Sequence, residues 1–364
     1  MLKDFYKGKK VLLTGDTGFK GSWLAIWLVN LGAEVYGYAL APDTVEGNYS
    51  ACKVDTMIHH VDGDIRDGEK LKAYFNEVKP DIAFHLAAQP LVIDSYANPV
   101  YNFDVNVMGT VHFLEAVRTS TNTKAAVVIT TDKCYQNNEW IWGYKEGDHL
   151  GGKDPYSASK ACAELVTASY INSFFKNSHS SIATVRAGNV IGGGDWAANR
   201  IIPDYFRAYQ NNNNLELRNP HSVRPWQHVL EPLFGYLQLG SVLYKDNSFS
   251  GAWNFGPIDS NHVPVEVLIQ TLQSISGKVN FSFIEQKEKL HEATLLKLDI
   301  NKAQHYLNWY PKLNLKDMLT YTSDGYLAQI NQQNTLDNRL KQINDYSELQ
   351  NQDRYLNKIH TFSL

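Results

Sequence analysis

Cysteine and long apolar runs are both scarce in this chain of 364 residues, and each scarcity excludes a class of protein. The three cysteines, Cys52, Cys134 and Cys162, form no Cys-x-x-Cys pair, which favours reduced thiols in the cytoplasm over a disulfide framework. No apolar run approaches the length of a membrane span, and the opening MLKDFYKGKK lacks the apolar core of a signal peptide. We therefore expect a cytoplasmic protein with no membrane partner.

Charge of one sign is not concentrated anywhere in the chain either. Lysine and arginine number 34 against 38 aspartates and glutamates, which gives a formal net charge of -4, and no long basic run appears. A nucleic-acid partner therefore has little electrostatic support. The twelve histidines show no His-Glu-x-x-His spacing, so we predict no metal site.

The first half of the chain does contain a regular alternation of short apolar runs with helical patterns. Segments typical of strands are KKVLLTG, AEVYGYAL, DIAFHLAA and AAVVITT, and helical patterns such as FKGSWLAIWLVNLG lie between them. Strand, helix, strand order with short links predicts a parallel sheet with helices on both faces. Residues 1–185 are therefore predicted to form an α/β domain with a Rossmann-type doubly wound parallel sheet.

The alternation of strand and helix patterns becomes irregular after residue 185. Residues 186–330 are predicted to form a smaller, mixed α/β C-terminal substrate lobe, interleaved with the first domain because residues of about 222–257 return to it. Residues 331–364 form a polar C-terminal extension, rich in Asn, Gln and Asp. Leu336, Leu340 and Ile343 have helical spacing there, so both a surface helix and a frayed tail remain open.

A glycine-rich turn follows the first predicted strand. The stretch TGDTGFKG places Gly15, Gly18 and Gly21 between that strand and the first long helix. Glycines there let the backbone approach a pyrophosphate, and the helix N-terminus supplies amide donors, so the turn predicts a dinucleotide site. The second strand ends in GYALAPDT, with neither an acid at its tip for a ribose nor a pair of arginines for a phosphate. These residues therefore leave NAD and NADP both open.

A tyrosine and a lysine share one face of a later predicted helix. In DPYSASKACAELV, Tyr156 and Lys160 are four residues apart. A nearby ammonium group favours the phenolate form of tyrosine, which can then act as a base near neutral pH. The order of glycine turn, strand and helix units and this pair predicts an enzyme that uses NAD or NADP.

An acid and a base follow directly after the predicted strand AAVVI, in the stretch TTDKCY. Ligands of a doubly wound sheet bind outside the carboxyl ends of its strands, so we interpret Asp132 and Lys133 as site residues rather than a solvated turn. We expect the two side chains to point apart, because a carboxylate close to Lys133 would stabilise its ammonium form and hinder it as a base.

These segments resemble the extended short-chain dehydrogenases/reductases and, among them, the CDP-glucose 4,6-dehydratases. The resemblance rests on the Asp-Lys-Cys-Tyr run and on ordered segments reaching to about residue 330, including GFKGSWL, HLAAQPLV, DPYSASKACAELV, RAGNVIGGGDW and RPWQHVLEPL. It implies conversion of CDP-D-glucose to CDP-4-dehydro-6-deoxy-D-glucose by C4 oxidation, loss of water across C5 and C6, and return of a hydride to C6. It also implies NAD rather than NADP, a homodimer or homotetramer, and a place in deoxysugar synthesis for surface polysaccharide.

The resemblance further implies catalytic roles for five residues. Tyr156 would be the base at the 4-hydroxyl, while Lys160 would lower the pKa of Tyr156 and hold the cofactor ribose. Thr131 would hydrogen-bond the 4-oxygen, and Asp132 would be the acid at C6. Lys133 would be the C5 base, or would orient a water molecule that is.

Binding residues are implied in the same way. The cofactor would be contacted by Gly15, Thr17, Gly18, Phe19, Lys20, Gly21, Asp64, Ile65, Ala87, Ala88, Gln89, Asn106, Thr130, Tyr156 and Lys160. The nucleotide-sugar substrate would be contacted by Asn189, Arg200, Arg224 and His228, and arginine suits a bidentate grip on phosphate.

Two places depart from the pattern of this family. Asp16 stands in the glycine turn where histidine is usual, and an acid beside a pyrophosphate must point away from it. Ile93 and Asp94 stand where a basic residue is expected, which can change the sugar or the base accepted. The alternatives left open are a dehydratase or 4-epimerase for a different nucleotide sugar, and a catalytically inactive nucleotide-binding relative.

Overall fold

A parallel sheet of seven strands organises the chain in the computed structural model, which describes residues 2–42, 44–217, 219–277, 279–283 and 295–360. The strands are β1 (Lys10–Thr14), β2 (Glu34–Ala39), β3 (His59–Asp62), β4 (Ile82–His85), β5 (Ala125–Ile129), β6 (Ser181–Arg186), β7 (Val190–Ile191), β8 (Leu215–Leu217), β9 (Val223–Pro225), β10 (Gln227–His228), β11 (Gly251–Asn254), β12 (His262–Pro264) and β13 (Phe281–Phe283). The sheet has the order β11-β6-β5-β4-β1-β2-β3, and all its pairs are parallel. This confirms the predicted Rossmann-type fold.

Helices connect these strands on both faces of the sheet. The α-helices are α1 (Leu2–Tyr6), α2 (Phe19–Asn30), α3 (Asn48–Ala51), α4 (Gly68–Val78), α5 (Val92–Ala97), α6 (Pro99–Phe103), α7 (Gly109–Thr119), α8 (Pro155–Tyr170), α9 (Ile201–Asn211), α10 (Leu230–Leu243), α11 (Val265–Ser276), α12 (Asn301–Leu307), α13 (Leu315–Ile330) and α14 (Thr335–His360). Shorter 3-10 turns lie at Val54–Thr56, Asp132–Cys134, Asn247–Phe249 and Asp259–Asn261, and π turns lie at Asp104–Met108 and Ile171–Phe175. Among the described residues, no helix combines the length and the apolarity that crossing a bilayer requires.

The order of the strands fixes where a ligand can bind. Strand β1 lies between β2 and β4, so the chain reverses its direction of winding between β1 and β4. Open α/β sheets bind ligands in the crevice outside the carboxyl ends of the strands at such a point. Strand β5, whose five residues Ala125–Ile129 are all buried, ends on the same edge two strands away from β1. The stretch TTDKCY therefore begins beside the crevice.

The second half of the chain contributes short strand pairs and helices as well as strands of the main sheet. Three two-stranded pairs occur among the described residues, namely β10 with β7, β12 with β9 and β13 with β8. Between them the chain returns to the main sheet, because α10 packs on β5 and β6, and β11 pairs with β6.

The polar tail forms a helix that packs on the rest of the molecule. Helix α14 contacts α2 and α13, and the side chains of Arg339, Ile343 and Tyr346 are completely buried. The ring of Tyr346 lies 6.2 Å from that of Trp27 and 6.1 Å from that of Phe234. Of the two alternatives that the sequence left open, a packed helix is the one that the structure shows.

Candidate active site

The glycine turn is packed so closely that larger residues are excluded. Gly15 has a φ of 76°, which favours glycine, and a Cβ there would lie 2.6 Å from the backbone nitrogen of Ala87. A Cβ on Gly21 would lie 2.0 Å from the carbonyl oxygen of Gly15. Helix α2 begins after Gly18, and no side chain caps its first turn. The first amides of α2 are therefore left for a ligand beside the turn.

Asp16 is turned away from solvent and toward strands β2 and β3. Its Oδ2 lies 2.7 Å from His60 Nδ1, and its side chain is completely buried. Gly37 makes room for the carboxylate, since a Cβ there would lie 2.3 Å from Oδ2. The hydrogen bond to Asp16 raises the pKa of His60 above its usual value, so the pair ties the glycine turn to β3.

The segment around Asp64 is held in place by its neighbours. Arg66 donates to both carboxylate oxygens of Asp64, with the shortest distance 2.6 Å, and Tyr38 donates to the Asp64 carbonyl. Ile65 is buried against Gly109, where a Cβ would lie 2.8 Å from it. The Asp64 carboxylate is thus engaged by Arg66, and its predicted cofactor contact stays a prediction.

The loop after β4 is tied to helix α8 through Asn106. The side chain of Asn106 accepts a hydrogen bond from the Gln89 amide at 2.9 Å and donates to Ser159 Oγ at 2.9 Å. Gln89 Oε1 also accepts from Asn102 at 2.7 Å. Asn106 lies in the π turn Asp104–Met108, and such turns are frequent at functional sites. Asn106 therefore sets the distance between the Ala87–Gln89 loop and the helix that carries Tyr156.

Thr130 points into a buried ion-pair network instead of the crevice. Its hydroxyl donates to Glu164 Oε1 at 2.5 Å, and the other oxygen of Glu164 accepts from Thr184 at 2.7 Å and pairs with Arg186 at 2.8 Å. Arg186 also donates to the hydroxyl of Tyr135 at 2.6 Å. The prediction of Thr130 as a cofactor contact is thus not supported for its side chain, which instead anchors the end of β5 to α8 and β6.

Asp132 and Lys133 do not point apart, which corrects the expectation from the sequence. Lys133 Nζ lies 3.6 Å from Asp132 Oδ1, and the same oxygen accepts from the Thr131 hydroxyl at 3.0 Å. The 3-10 turn at Asp132–Cys134 directs both side chains to one side. Asp132 is completely buried, and its Oδ2 finds no hydrogen-bond partner among the described residues. That oxygen lies against Gly188, where a Cβ would be 1.7 Å away.

Tyr156 lies at the start of α8, beside this turn. Pro155 occupies the first position of the helix and Asp154 caps it. Burial raises the pKa of the Tyr156 hydroxyl to about 12, while a hydrogen bond with Thr131 and the charge of Arg200 act in the opposite direction. The structure thus brings Thr131 and Tyr156 together. The positive charge of Arg200 lowers the pKa of Tyr156.

Lys160 lies one helical turn further along α8 and is nearly buried. Its Nζ donates to the carbonyl oxygen of Ile129 at 3.2 Å. Burial lowers the pKa of Lys160 to about 8, although the charge of Glu164 raises it. The lysine therefore lies at the end of β5, where its amine is held in a fixed position.

Of the predicted substrate contacts, Arg200 lies near Tyr156, and the contact predicted for Asn189 stays a prediction. Asn189 has a φ of 44° and follows Gly188 at the end of β6. Arg200 Nη1 donates to Asp195 Oδ2 at 2.9 Å, and Asp195 is buried in the GGGDW loop. Asp195 therefore orients the guanidinium toward the region of Tyr156.

Arg224 and His228 have different surroundings. Arg224 lies on β9 and is partly buried. Its guanidinium donates to the carbonyl oxygen of Val223, the preceding residue. His228 is completely buried between the rings of Trp23 and Tyr321, and burial lowers its pKa to about 3. No part of His228 is accessible to a nucleotide, so its predicted substrate contact is wrong for this structure. The short pairing of β10 with β7 turns this side chain inward.

Sequence reasoning missed Gly188 and Glu164, which shape the site without reacting. Glu164 is four residues after Lys160, so the helical spacing places it on the same face of α8. Gly188 lies two residues after Arg186, the last residue of β6, and a glycine near a strand end signals close approach of another group. Both signals are present in the sequence, but neither identifies its partner.

Comparison with known proteins agrees with this geometry. Residues 12–322 match a family model described as GDP-mannose 4,6 dehydratase. A CDP-glucose 4,6-dehydratase from Salmonella typhimurium is 49% identical over 323 residues, which cover 87% of this chain and 90% of the relative. A CDP-paratose 2-epimerase from Salmonella typhi is 25% identical and covers 85% of this chain and 96% of its own.

Solved structures show the same fold. A dTDP-glucose 4,6-dehydratase from Bacillus anthracis in complex with NAD has a TM-score of 0.75 at 20% identity, and covers 90% of this chain and 100% of its own. A UDP-glucose 4-epimerase from Thermotoga maritima with UDP-glucose has a TM-score of 0.75 at 21% identity, and covers 88% of this chain and 99% of its own. Together with the family match and the Salmonella relative, this shows that the chain belongs to the GDP-mannose 4,6-dehydratase family and is similar within it to CDP-glucose 4,6-dehydratase.

Proposed function

We propose that the protein is an NAD-dependent CDP-glucose 4,6-dehydratase that acts on a soluble nucleotide sugar in the cytoplasm. The observation that carries the proposal is the grouping of Thr131, Asp132, Lys133 and Tyr156 at one strand end, in a chain 49% identical to a CDP-glucose 4,6-dehydratase. A simple redox enzyme or epimerase of this fold needs the tyrosine, the lysine and a hydroxyl, but not a further acid and amine. The Asp132–Lys133 pair therefore favours loss of water.

The residues of the glycine turn fit NAD. The backbone around Gly15 and Gly21 leaves no space for side chains, and the first turn of α2 carries amides without a side-chain cap, as a pyrophosphate requires. Lys160 and Asn106 would hold the nicotinamide half of the cofactor, beside Tyr156. NAD supplies reversible acceptance of a hydride from C4 when it is bound.

The oxidation half of the reaction needs a base at the 4-hydroxyl. Tyr156 takes this proton, and Thr131 hydrogen-bonds the same oxygen and keeps the tyrosine in place. Because burial and the charges of Asp132 and Asp154 raise the pKa of Tyr156 to about 12, the phenolate depends on nearby positive charge. Arg200 supplies part of that charge while Asp195 fixes its direction.

The elimination half needs an acid at the C6 hydroxyl and a base at C5. Lys133 Nζ lies 3.6 Å from Asp132 Oδ1, and the side chain of Lys133 is 39% exposed, whereas that of Asp132 is fully buried. Lys133 is the member of the pair that a substrate can reach, so we assign to it the proton that the departing hydroxyl takes up, with Asp132 as its partner. This differs from the assignment of Lys133 as the C5 base that the family resemblance implied.

The proposal is tested by incubating the protein with NAD and a panel of nucleotide-glucoses and identifying the products by mass spectrometry and NMR. We expect CDP-glucose to give the 4-dehydro-6-deoxy product, and Tyr156→Phe to abolish turnover. Tyr306→Phe is a matched control, because Tyr306 is 63% exposed and lies on α12. A stereoisomer formed without loss of water would identify an epimerase, and turnover by Tyr156→Phe at the wild-type rate would refute the proposed site.

We also propose that the protein forms a homodimer or homotetramer through α7 and α8. Large apolar side chains lie exposed along these helices and the turns that flank them, among them Met108 (43%), Leu165 (58%) and Phe174 (50%). Leu165→Glu is expected to lower the mass measured by light scattering, whereas Val267→Glu on α11 is a control. An unchanged mass for Leu165→Glu would exclude α8 as the interface.

A further inference from the structure

Gln227, the first residue of β10, holds the backbone beside the Asp132 carboxylate. Its side chain is buried, and its Nε2 donates to the carbonyl oxygens of Gly188 at 3.0 Å and of Phe255 at 3.1 Å. Its backbone nitrogen donates to the carbonyl oxygen of Asn189 at 3.2 Å. One residue therefore binds both carbonyl oxygens of the segment 188–189.

The orientation of the Gln227 amide follows from its two side-chain partners. Both are carbonyl oxygens, which accept hydrogen bonds and cannot donate them, so only the NH2 end of the side chain can face them. The other end, Oε1, is buried and has no hydrogen-bond partner among the described residues. Neither a carboxylate nor an apolar side chain at position 227 can make these two bonds.

The segment 188–189 needs such support, because its backbone conformation is unfavourable. Asn189 has a φ of 44°, in the left-handed region that residues other than glycine seldom adopt. A conformation of this kind persists only where the surrounding contacts impose it. The hydrogen bonds from Gln227 to the carbonyl oxygens before and after this φ angle supply that constraint.

The same segment fixes the carboxylate of Asp132. A Cβ on Gly188 would lie 1.7 Å from Asp132 Oδ2, so the Gly188 backbone is in direct contact with this oxygen. Both polar contacts of the carboxylate are made by the other oxygen, since Oδ1 accepts from Thr131 at 3.0 Å and lies 3.6 Å from Lys133 Nζ. The position of Gly188 thus determines which oxygen is turned toward the threonine and the lysine.

We infer that Gln227 is a positioning residue for the elimination step, because it fixes the backbone against which Asp132 lies. The inference rests on the proposed function, in which Lys133 protonates the departing C6 hydroxyl with Asp132 as its partner. Within the described ranges, Gln227 makes no hydrogen bond to Tyr156, the base of the oxidation step. Loss of the Gln227 amide should therefore slow the loss of water more than the oxidation at C4.

The first test compares Gln227→Met with the wild-type protein and with Gln342→Met as a matched control. Gln342, on α14, is likewise buried, donates from Nε2 to the carbonyl oxygen of Tyr321 at 2.8 Å, and leaves Oε1 without a partner in the described part of the chain. With CDP-glucose and NAD, the near-ultraviolet absorbance of the reduced cofactor reports oxidation, and NMR reports the dehydrated product.

We expect Gln227→Met to reduce the cofactor at the wild-type rate, to accumulate it in the reduced form, and to form dehydrated product about 100-fold more slowly. This magnitude is that of a displacement of about 1 Å at a reacting group. The KM for CDP-glucose should stay unchanged, so the loss is in kcat. Gln342→Met should change neither step.

The second test is the pH dependence of Gln227→Glu, which a purely structural role would not alter. The introduced carboxyl group faces two carbonyl oxygens, so it can donate to one of them only when it is protonated. We expect the dehydration rate of this variant, relative to the wild-type rate at the same pH, to rise as the pH falls from about 8 to about 6.

Three results would overturn the inference. If Gln227→Met slows cofactor reduction and dehydration equally, or if Gln342→Met produces the same imbalance, Gln227 only supports the fold. A relative rate of Gln227→Glu that does not change with pH has the same meaning, and it decides the question if Gln227→Met fails to fold. A wild-type protein that forms no dehydrated product refutes the proposed function and the inference with it, whereas the other results refute the inference alone.

Discussion

Replacing Gly188 by alanine should disable the site while leaving most of the fold intact. The added Cβ would lie 1.7 Å from Asp132 Oδ2, whereas ordinary contacts begin at 3.4 Å, so the carboxylate or the backbone must move by the difference, about 1.7 Å. Overpacking of this kind costs about 1–3 kcal/mol of the free energy of unfolding. A displacement of about 1 Å at a reacting group can lower the rate by about 100-fold. We therefore expect a large loss of activity with a modest loss of stability.

The matched control is Gly147→Ala, because a Cβ on Gly147 meets no atom within 4 Å. Turnover of CDP-glucose is measured for both variants, and the free energy of unfolding is taken from urea denaturation. Gly147→Ala should keep the wild-type rate. If Gly188→Ala also turns over at the wild-type rate, the position of Asp132 is unimportant for catalysis, and the proposed pairing of Asp132 with Lys133 as a functional unit fails.

Three further predictions concern stability. Burial raises the pKa of Glu231 from 4.5 to about 7. Its contribution to the free energy of unfolding is therefore fully present below about pH 4.5 and is lost as the pH rises through about 7. Glu231→Gln should remove about 3 kcal/mol of this pH dependence, measured by urea denaturation. Tyr346→Ala should cost about 3–5 kcal/mol, because the ring is completely buried, and a wild-type unfolding midpoint would show that α14 does not stabilise the fold. Glu164→Gln should cost about 3–5 kcal/mol by leaving the charge of Arg186 buried, whereas Glu115→Gln in an exposed pair should cost less than about 1 kcal/mol; equal losses would contradict this reasoning.

The main sheet could be predicted because its strands are short, continuous and apolar. A strand buried on both faces, such as β5, is a continuous apolar run in the sequence, and a helix in each connection favours the parallel arrangement. The short strands of the second lobe could not be predicted. Val190–Ile191 and Gln227–His228 are two residues each, and their pairing depends on distant segments instead of local pattern.

The candidate site was predictable where backbone geometry decides it. The glycine turn, Tyr156 and Lys160 follow from spacing along one turn or one helix. The directions of the side chains at the strand ends could not be predicted from the sequence, because they depend on which neighbouring residues leave space for the side chain. The approach of Lys133 to Asp132 and the burial of His228 both arise from contacts between segments far apart in the chain.

The packing of α14 on α2 also determines when the chain can finish folding during translation. Trp27 and Phe234 leave the ribosome long before Tyr346, whose ring covers both of them. An aromatic surface on the sheet half therefore stays in contact with water until the last helix has been synthesised. Completion of the outer layer is thus a late event, and a nascent chain halted before this helix would offer that surface to chaperones.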